Sequence, residues 1–283
     1  MGVLENKKII ITGGSMGIGF AVAEKCAKEG AQLVLISRHS DGLKKAIKMI
    51  DINENDHKYY ALDVSKYEEV KELAVDMEKE FSFIDGLVNC AGVYGPIGRL
   101  DEINPHEFTN AININLLGTF YMCHCFIPLL KKASRGKIVN YSGGGAAGPF
   151  PNYSAYAVSK IGIVRLTENL ALEFKNSSID VNAVAPGFVV TRLHQETIRA
   201  GKKASEDFLK KTLDQIEKGG VSPDVAARLT VFLLSPESDG ITAKFISAPW
   251  DPWEDRNFIN RLKEDKDLAT LRRIDNKFFF KKG

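Results

Sequence analysis

A short apolar run, Lys7 to Thr12 (K-K-I-I-I-T), passes directly into G-G-S-M-G-I-G and then into a segment with helical spacing from about Ile18 to Glu29. Strand, glycine turn and helix in that order make a phosphate site. Glycines let the backbone approach a ligand closely, and the helix N-terminus offers unpaired N–H groups with about half a positive charge. The glycines are Gly13, Gly17 and Gly19, a G-x-x-x-G-x-G spacing distinct from the commoner dinucleotide fingerprint. Ser15, Met16 and Ile18 fill the turn between them and complete the candidate diphosphate cradle.

The same alternation continues along the chain. Strand-like runs at Gln32–Ile36, Lys58–Leu62, Ile84–Val88, around Ile138–Val139, Ile179–Ala185 and Ala243–Ser247 are separated by helical stretches at Asp41–Asn53, Lys66–Phe81, Asn104 to about Lys131, the segment carrying Tyr156, and Pro223–Leu234. Strands that read as continuous apolar runs between helices describe an α/β domain, its parallel sheet covered on both faces and its crossovers right-handed. Seven strands are expected, with ligands at their carboxyl ends.

Those ends carry distinctive residues. Gln32–Ile36 runs into Ser37-Arg38, where an acidic residue would bind the 2'-hydroxyl of NAD and an arginine can grip a 2'-phosphate. Ser37 and Arg38 therefore favour NADP over NAD, by about 1.5 to 3 kcal/mol for one charge-assisted hydrogen bond. Ser65 with Glu68 reads as a capping box, which leaves Asp63, followed by Val64, free for the adenine amino group. The fourth strand ends in N-C-A-G, where the small residues at Asn89, Ala91 and Gly92 let a cofactor lie close. Asn115 is a polar residue in an apolar helix and needs partners.

Tyr156 and Lys160 lie four apart on a helix, so phenol and ammonium share a face. A fixed ammonium favours the phenolate and pulls the phenol toward working pH, as a general acid or base requires. Spacing alone is not distinctive, since Tyr67 and Lys71 repeat it on an amphipathic surface helix. The glycine-rich loop just before Tyr156, S-G-G-G-A-A-G, sets the second pair apart.

Composition narrows the partners. With 283 residues, 26% charged and a net charge of +2, the chain lacks the basic face of a nucleic-acid binder, and small molecules are expected instead. The four cysteines, Cys26, Cys90, Cys123 and Cys125, have no metal-ligand spacing, so no metal is expected and free thiols in a reducing, cytoplasmic setting are. The most apolar window, Ile114–Leu130, is interrupted by Asn115, His124 and Pro128, which reads as a buried helix and no membrane span. Residues 192–220, rich in lysine, read as a mobile helical flap over the substrate entrance. Both tryptophans fall in a C-terminal arm, 248–283, expected to dock on the body or on a sister subunit.

With these motifs in order (T-G-G-S-M-G-I-G, D-V, N-C-A-G, N-L-L-G, Y-A-V-S-K and P-G-F-V-V-T), the chain resembles the classical short-chain dehydrogenase/reductase family over about Lys7 to Ser247. The resemblance implies a single doubly wound Rossmann-type domain over 1–247. It also implies proton exchange with substrate by Tyr156, ribose binding by Lys160, a water held with the help of Asn115, and nicotinamide contacts from the turn at Pro186, Gly187, Val189 and Thr191. A homodimer or homotetramer through the two long helices is implied as well.

One position departs from the family pattern. The family places a serine thirteen residues before the tyrosine, and Gly143 stands there. Losing such a donor costs about 2.7 to 4 kcal/mol, and the expectation is that Ser142, or else a donor such as Ser154, takes its place. The tail faintly resembles members associated with sugar metabolism. The leading expectation is an NADP(H)-dependent oxidoreductase interconverting a ketone and a secondary alcohol, on a carbohydrate-like substrate in its narrower form. The alternatives are a cofactor-binding protein with little catalysis and a sugar dehydratase or epimerase that recycles its cofactor.

Overall fold

The computed structural model describes residues 2–50 and 56–273. Its elements run β1 (Lys8–Thr12), α1 (Gly17–Lys28), β2 (Gln32–Ser37), α2 (Ser40–Ile50), β3 (Lys58–Ala61), α3 (Tyr67–Glu80), β4 (Gly86–Asn89), α4 (Pro105–Ile112), α5 (Gly118–Leu130), β5 (Gly136–Tyr141), α6 (Ser154–Glu173), β6 (Ile179–Ala185), α7 (Arg192–Ala200), α8 (Glu206–Glu217), α9 (Pro223–Leu234), β7 (Phe245–Ser247) and α10 (Arg256–Glu264). All seven strands pair in parallel, in the order β3-β2-β1-β4-β5-β6-β7.

Alternation along each strand divides the core in two. Ile9, Ile11, Leu33, Leu35, Val88 and Val139 face α1, α2 and α9, while Ile10, Val34, Leu87 and Ile138 face α3, α5 and α6. Each face is fully apolar because helices cover both. The order reverses between β1 and β4, and a crevice opens at such a switch point outside the strand ends. This is the doubly wound arrangement that the resemblance implied.

The long helix expected from Asn104 to Lys131 is interrupted. Asn104 caps α4 by accepting from the His106 N–H, with Pro105 at the first helical position. Between α4 and α5 the residues Asn113–Leu117 form a π-helical stretch. The whole segment Pro105–Leu130 is apolar and long enough by composition to cross a membrane, and here half of that window is buried inside the fold.

The chain after β7 packs onto the body. Trp253 is buried against Phe232 and donates through Nε1 to the Ala248 carbonyl (2.9 Å), while Trp250 is 78% exposed. The described part of the arm therefore docks on the body through Trp253, while Trp250 stays at the surface. Phe245 N–H donates to the Ala269 carbonyl (2.7 Å), Lys244 Nζ donates to the carbonyls of Asp265 and Leu268, and Arg272 pairs with buried Glu168. The terminal phenylalanines and the end of the helix expected to Asn53 lie outside the described residues.

Candidate active site

A cavity of about 600 Å³ lies at the carboxyl ends of β1, β2 and β4, lined at its centre by Gly13, Gly17, Gly19, Ala91 and Gly92. The glycines have steric reasons to be there. Gly13 (φ +70°) and Gly17 (φ +57°) adopt left-handed backbone, and a Cβ on Gly19 would come within 2.3 Å of the Gly13 carbonyl oxygen. Met16, at the N-cap of α1, offers no side-chain cap, so the first N–H groups of the helix point outward from the turn without a side-chain acceptor. Ser15, Met16 and Ile18 line the same cavity. Thr12, not singled out in the sequence, ties the two sides together: its Oγ1 accepts from the N–H groups of Cys90 (3.0 Å) and Ala91 (3.2 Å).

At the β2 end the lining includes Ser37, Arg38 and His39. Arg38 is exposed and has no ion pair with the described residues. Asp63 and Val64 line the cavity beyond them, although the local chemistry differs from the expected capping box. Ser65 donates to Asp63 Oδ1 through both its N–H (2.9 Å) and its hydroxyl (2.7 Å), and Glu69 accepts from the Asp63 N–H. Lys66, without a side-chain cap, stands at the N-cap of α3. Asp63 is thus held in an Asx turn instead of standing free, because its short side chain competes for the local N–H.

Three further groups of expected residues lie off the cavity lining, as Tyr156 and Lys160 themselves do. Asn89 is buried and turned into the sheet, donating to Asn140 Oδ1 (2.9 Å) and toward the Cys123 sulfur, so it clamps β4 to β5 and does not line the cavity. Pro186, Gly187 and Val189 also lie off the wall. Gly187 (φ +79°) packs against Pro249 and accepts from the Val189 N–H, a tight turn that buries Val189 and presents Val190 and Thr191 instead. Ser142 is buried, and its hydroxyl donates to the Lys160 carbonyl (3.0 Å), away from any reacting group. A Cβ at Gly143 would meet the Tyr156 hydroxyl at 2.4 Å, so position 143 faces the phenol and carries no donor.

Tyr156 and Lys160 enter from α6, both buried. Lys160 Nζ donates to the Tyr141 carbonyl (2.8 Å) and stands 5.5 Å from the Tyr156 ring centroid. Burial pushes the Lys160 ammonium down to about 8, partly offset by Cys90. Burial also drives the Tyr156 phenol upward, with Cys90 adding to the rise, so the expected lowering by the ammonium does not prevail in this arrangement. Lys160 comes up behind the cavity wall at Gly92, whose added Cβ would lie 3.3 Å from Asn115 Oδ1 and 3.5 Å from Lys160 Nζ.

Asn115 sits in the π-helical stretch, fully buried. Its side chain accepts from Val93 N–H and donates to Val93 carbonyl and to Ser159 Oγ, all at 2.9 Å. It thus clamps the backbone after the N-C-A-G motif, the structural role that a buried amide needs. Over Tyr156 lies an aromatic cluster of Tyr94, Phe150, Tyr153 and Phe208. Helices α7 and α8 cover it, and α7 is fixed by a capping box in which Thr191 and His194 exchange hydrogen bonds. His194 is held neutral, its pKa pushed down to about 4 by burial. Neither Tyr94 nor His194 had a sequence signal, because each acts through tertiary position.

Glycine cradle, switch-point cavity and buried Tyr–Lys pair define a dinucleotide-dependent α/β oxidoreductase. A family model described as "short chain dehydrogenase" matches residues 7–202. Levodione reductase of Leifsonia aquatica is 30% identical over 248 residues, covering 85% of this chain and 92% of that protein. D-threitol dehydrogenase of Mycolicibacterium smegmatis is 31% identical over 233 residues, covering 82% and 87%. Among solved structures, a short chain dehydrogenase from Escherichia coli CFT073 complexed with NADPH superposes with a TM-score of 0.75 at 25% identity, covering 87% of this chain and 98% of that one. The chain belongs to the short-chain dehydrogenase/reductase family and is an NAD(P)-dependent oxidoreductase acting on a CH–OH group.

Proposed function

We propose that the protein uses NADP(H) to interconvert a ketone and a secondary alcohol. The observation that carries this reading is the wall at Gly92: a residue without a side chain separates the cavity from Lys160 Nζ and Asn115 Oδ1. The residues fit the cofactor's shape. The turn Gly13–Gly19 and the start of α1 would hold the diphosphate, Arg38 the 2'-phosphate beside Ser37, Asp63 and Val64 the adenine, and Val190 with Thr191 the carboxamide. When bound, the nicotinamide supplies or receives the hydride. Tyr156 gives the proton to, or takes it from, the substrate oxygen, while Lys160 holds ribose. Similarity to D-threitol dehydrogenase supports the narrower choice of a polyol or sugar-derived ketone.

The test is NADPH oxidation across a panel of cyclic ketones, diketones and ketoses, with Tyr156→Phe as the control; activity preserved in that variant rejects the assignment. Arg38→Ala should reduce the preference for NADPH about ten- to a hundredfold. A preference for NADH in the unaltered protein would overturn the cofactor choice.

The bare face of Gly143 favours a second reading, a cofactor-binding protein with little turnover. It expects NADPH to bind while single-turnover mixing with every carbonyl in the panel leaves it unoxidised. We also infer a dimer or tetramer built on α5 and α6, which expose Phe120, Val158, Ile161 and Leu172. A monomer by light scattering would reject it. Four free cysteines support a cytoplasmic setting.

A further inference from the structure

We propose that the phenol of Tyr94 donates to the reacting oxygen of the substrate, the hydrogen bond that position 143 lacks, an assignment that rests on the oxidoreductase reading above. An acid that protonates a carbonyl oxygen works best beside a second, fixed donor to the same atom, worth about a hundred- to a thousandfold in rate. The candidates around Tyr156 reduce quickly, and Ser154, two residues before it on α6, points to another side of that helix. Gly143 has no side chain, and Ser142 is committed to the Lys160 carbonyl. Tyr153 donates to Thr197 Oγ1 (2.9 Å), and Phe150 and Phe208 have no donor. His194 lends Nδ1 to the Thr191 N–H and lies 6.2 Å beyond Tyr94.

Tyr94 remains. Its ring meets that of Tyr156 edge to face, with centroids 4.9 Å apart and planes at 87°. It is 5% exposed, and its hydroxyl makes no hydrogen bond with the described residues. The backbone on either side is pinned. Asn115 holds both polar groups of Val93, and Gly95 (φ +75°) packs so tightly that an added Cβ would lie 2.6 Å from that of Ala111. A donor must be held this firmly to favour the transition state without reorganising. Burial, reinforced by Tyr156 and Tyr153, drives the Tyr94 phenol upward, so it stays protonated and donates without exchanging the proton itself.

Tyr94→Phe keeps the ring and its packing and removes one oxygen. With NADPH and isatin, a planar dicarbonyl, as probe, the expected result is kcat lowered about a hundredfold or more. NADPH affinity should stay within about twofold and the melting temperature unchanged. Tyr94→Phe turnover within about twofold of the unaltered enzyme, or a loss that tracks cofactor affinity, overturns the proposal. Tyr156→Phe, run alongside, separates the two claims. Activity surviving in it sinks the oxidoreductase reading, as does an unaltered enzyme that oxidises NADPH with no carbonyl of the panel, isatin included; activity lost in it but kept in Tyr94→Phe sinks the role of Tyr94 alone.

Discussion

Two Tyr-x-x-x-Lys pairs occupy this molecule, and their internal geometry is nearly the same. Lys71 Nζ stands 5.9 Å from the Tyr67 ring centroid on α3, and Lys160 Nζ stands 5.5 Å from that of Tyr156 on α6. One turn of helix fixes both distances. Their surroundings differ. Lys71 is 56% exposed and lies within ion-pair range of Glu68, whereas Lys160 is buried, bonded to a strand-end carbonyl and pushed down to about 8. The helix supplies the pairing; the strand ends and the loop at Gly143 supply the chemistry.

The sharpest way to break this contrast is to remove each phenol oxygen. Tyr156→Phe should cut kcat by about a thousandfold, while Tyr67→Phe should leave it unchanged, in NADPH-oxidation assays. Equal losses would mean that burial is not what distinguishes the pairs.

A smaller effect concerns the cover over the buried pair. The folded pKa of His194, about 4, lies below the ordinary 6.5 of an unfolded or opened segment. Closure is therefore fully favoured above pH 6.5, and it weakens as the pH falls because the opened form takes up a proton that the closed form refuses until about pH 4. Opening of α7 should rise about tenfold per pH unit across that window, read as amide exchange corrected for its intrinsic rate. Exchange in α3, around Tyr67, should not follow, and a flat ratio between the two regions would remove His194 from this role.

The smallest effect is on stability. Lys160, at about 8 in the fold against 10.5 when unfolded, is charged in both states below pH 8, so the fold bears the cost of its burial there. That cost lifts as the pH rises from 8 toward 10.5. Lys160→Met should raise the melting temperature of the cofactor-free protein by about 2 to 5 °C at pH 7 and by less at pH 10, while abolishing turnover. Lys71→Met, on the surface, should change neither.

The pattern of strands and helices was legible because periodicity and glycine placement are local properties. β6 and α9 fall where the residues put them, Ile179–Ala185 and Pro223–Leu234. The catalytic neighbourhood was legible only as a set of motifs. Where Ser142 points depends on the partner that Lys160 offers across the sheet. Which residue of the P-G-F-V-V-T turn faces the cavity depends on Pro249, more than fifty residues later in the chain. The capping box at Ser65 does not form because Ser65 and Asp63 prefer each other to the helix. Tyr94 and Thr12 carry no motif, and their importance arises from what packs beside them.

The wide turn at Asn113–Leu117 sets a constraint on how this chain can vary. A π-helical stretch carries one residue more than the same length of α-helix needs, and each residue advances a helix by about 100°. Deleting any one residue there would make a better local helix and keep α4 and α5 in phase, but it would turn the residues of the stretch itself to new directions. The amide of Asn115 would swing off the Val93 backbone. Length in that segment is therefore fixed where composition is free, and single-residue deletions should be far less tolerated there than substitutions at its apolar positions.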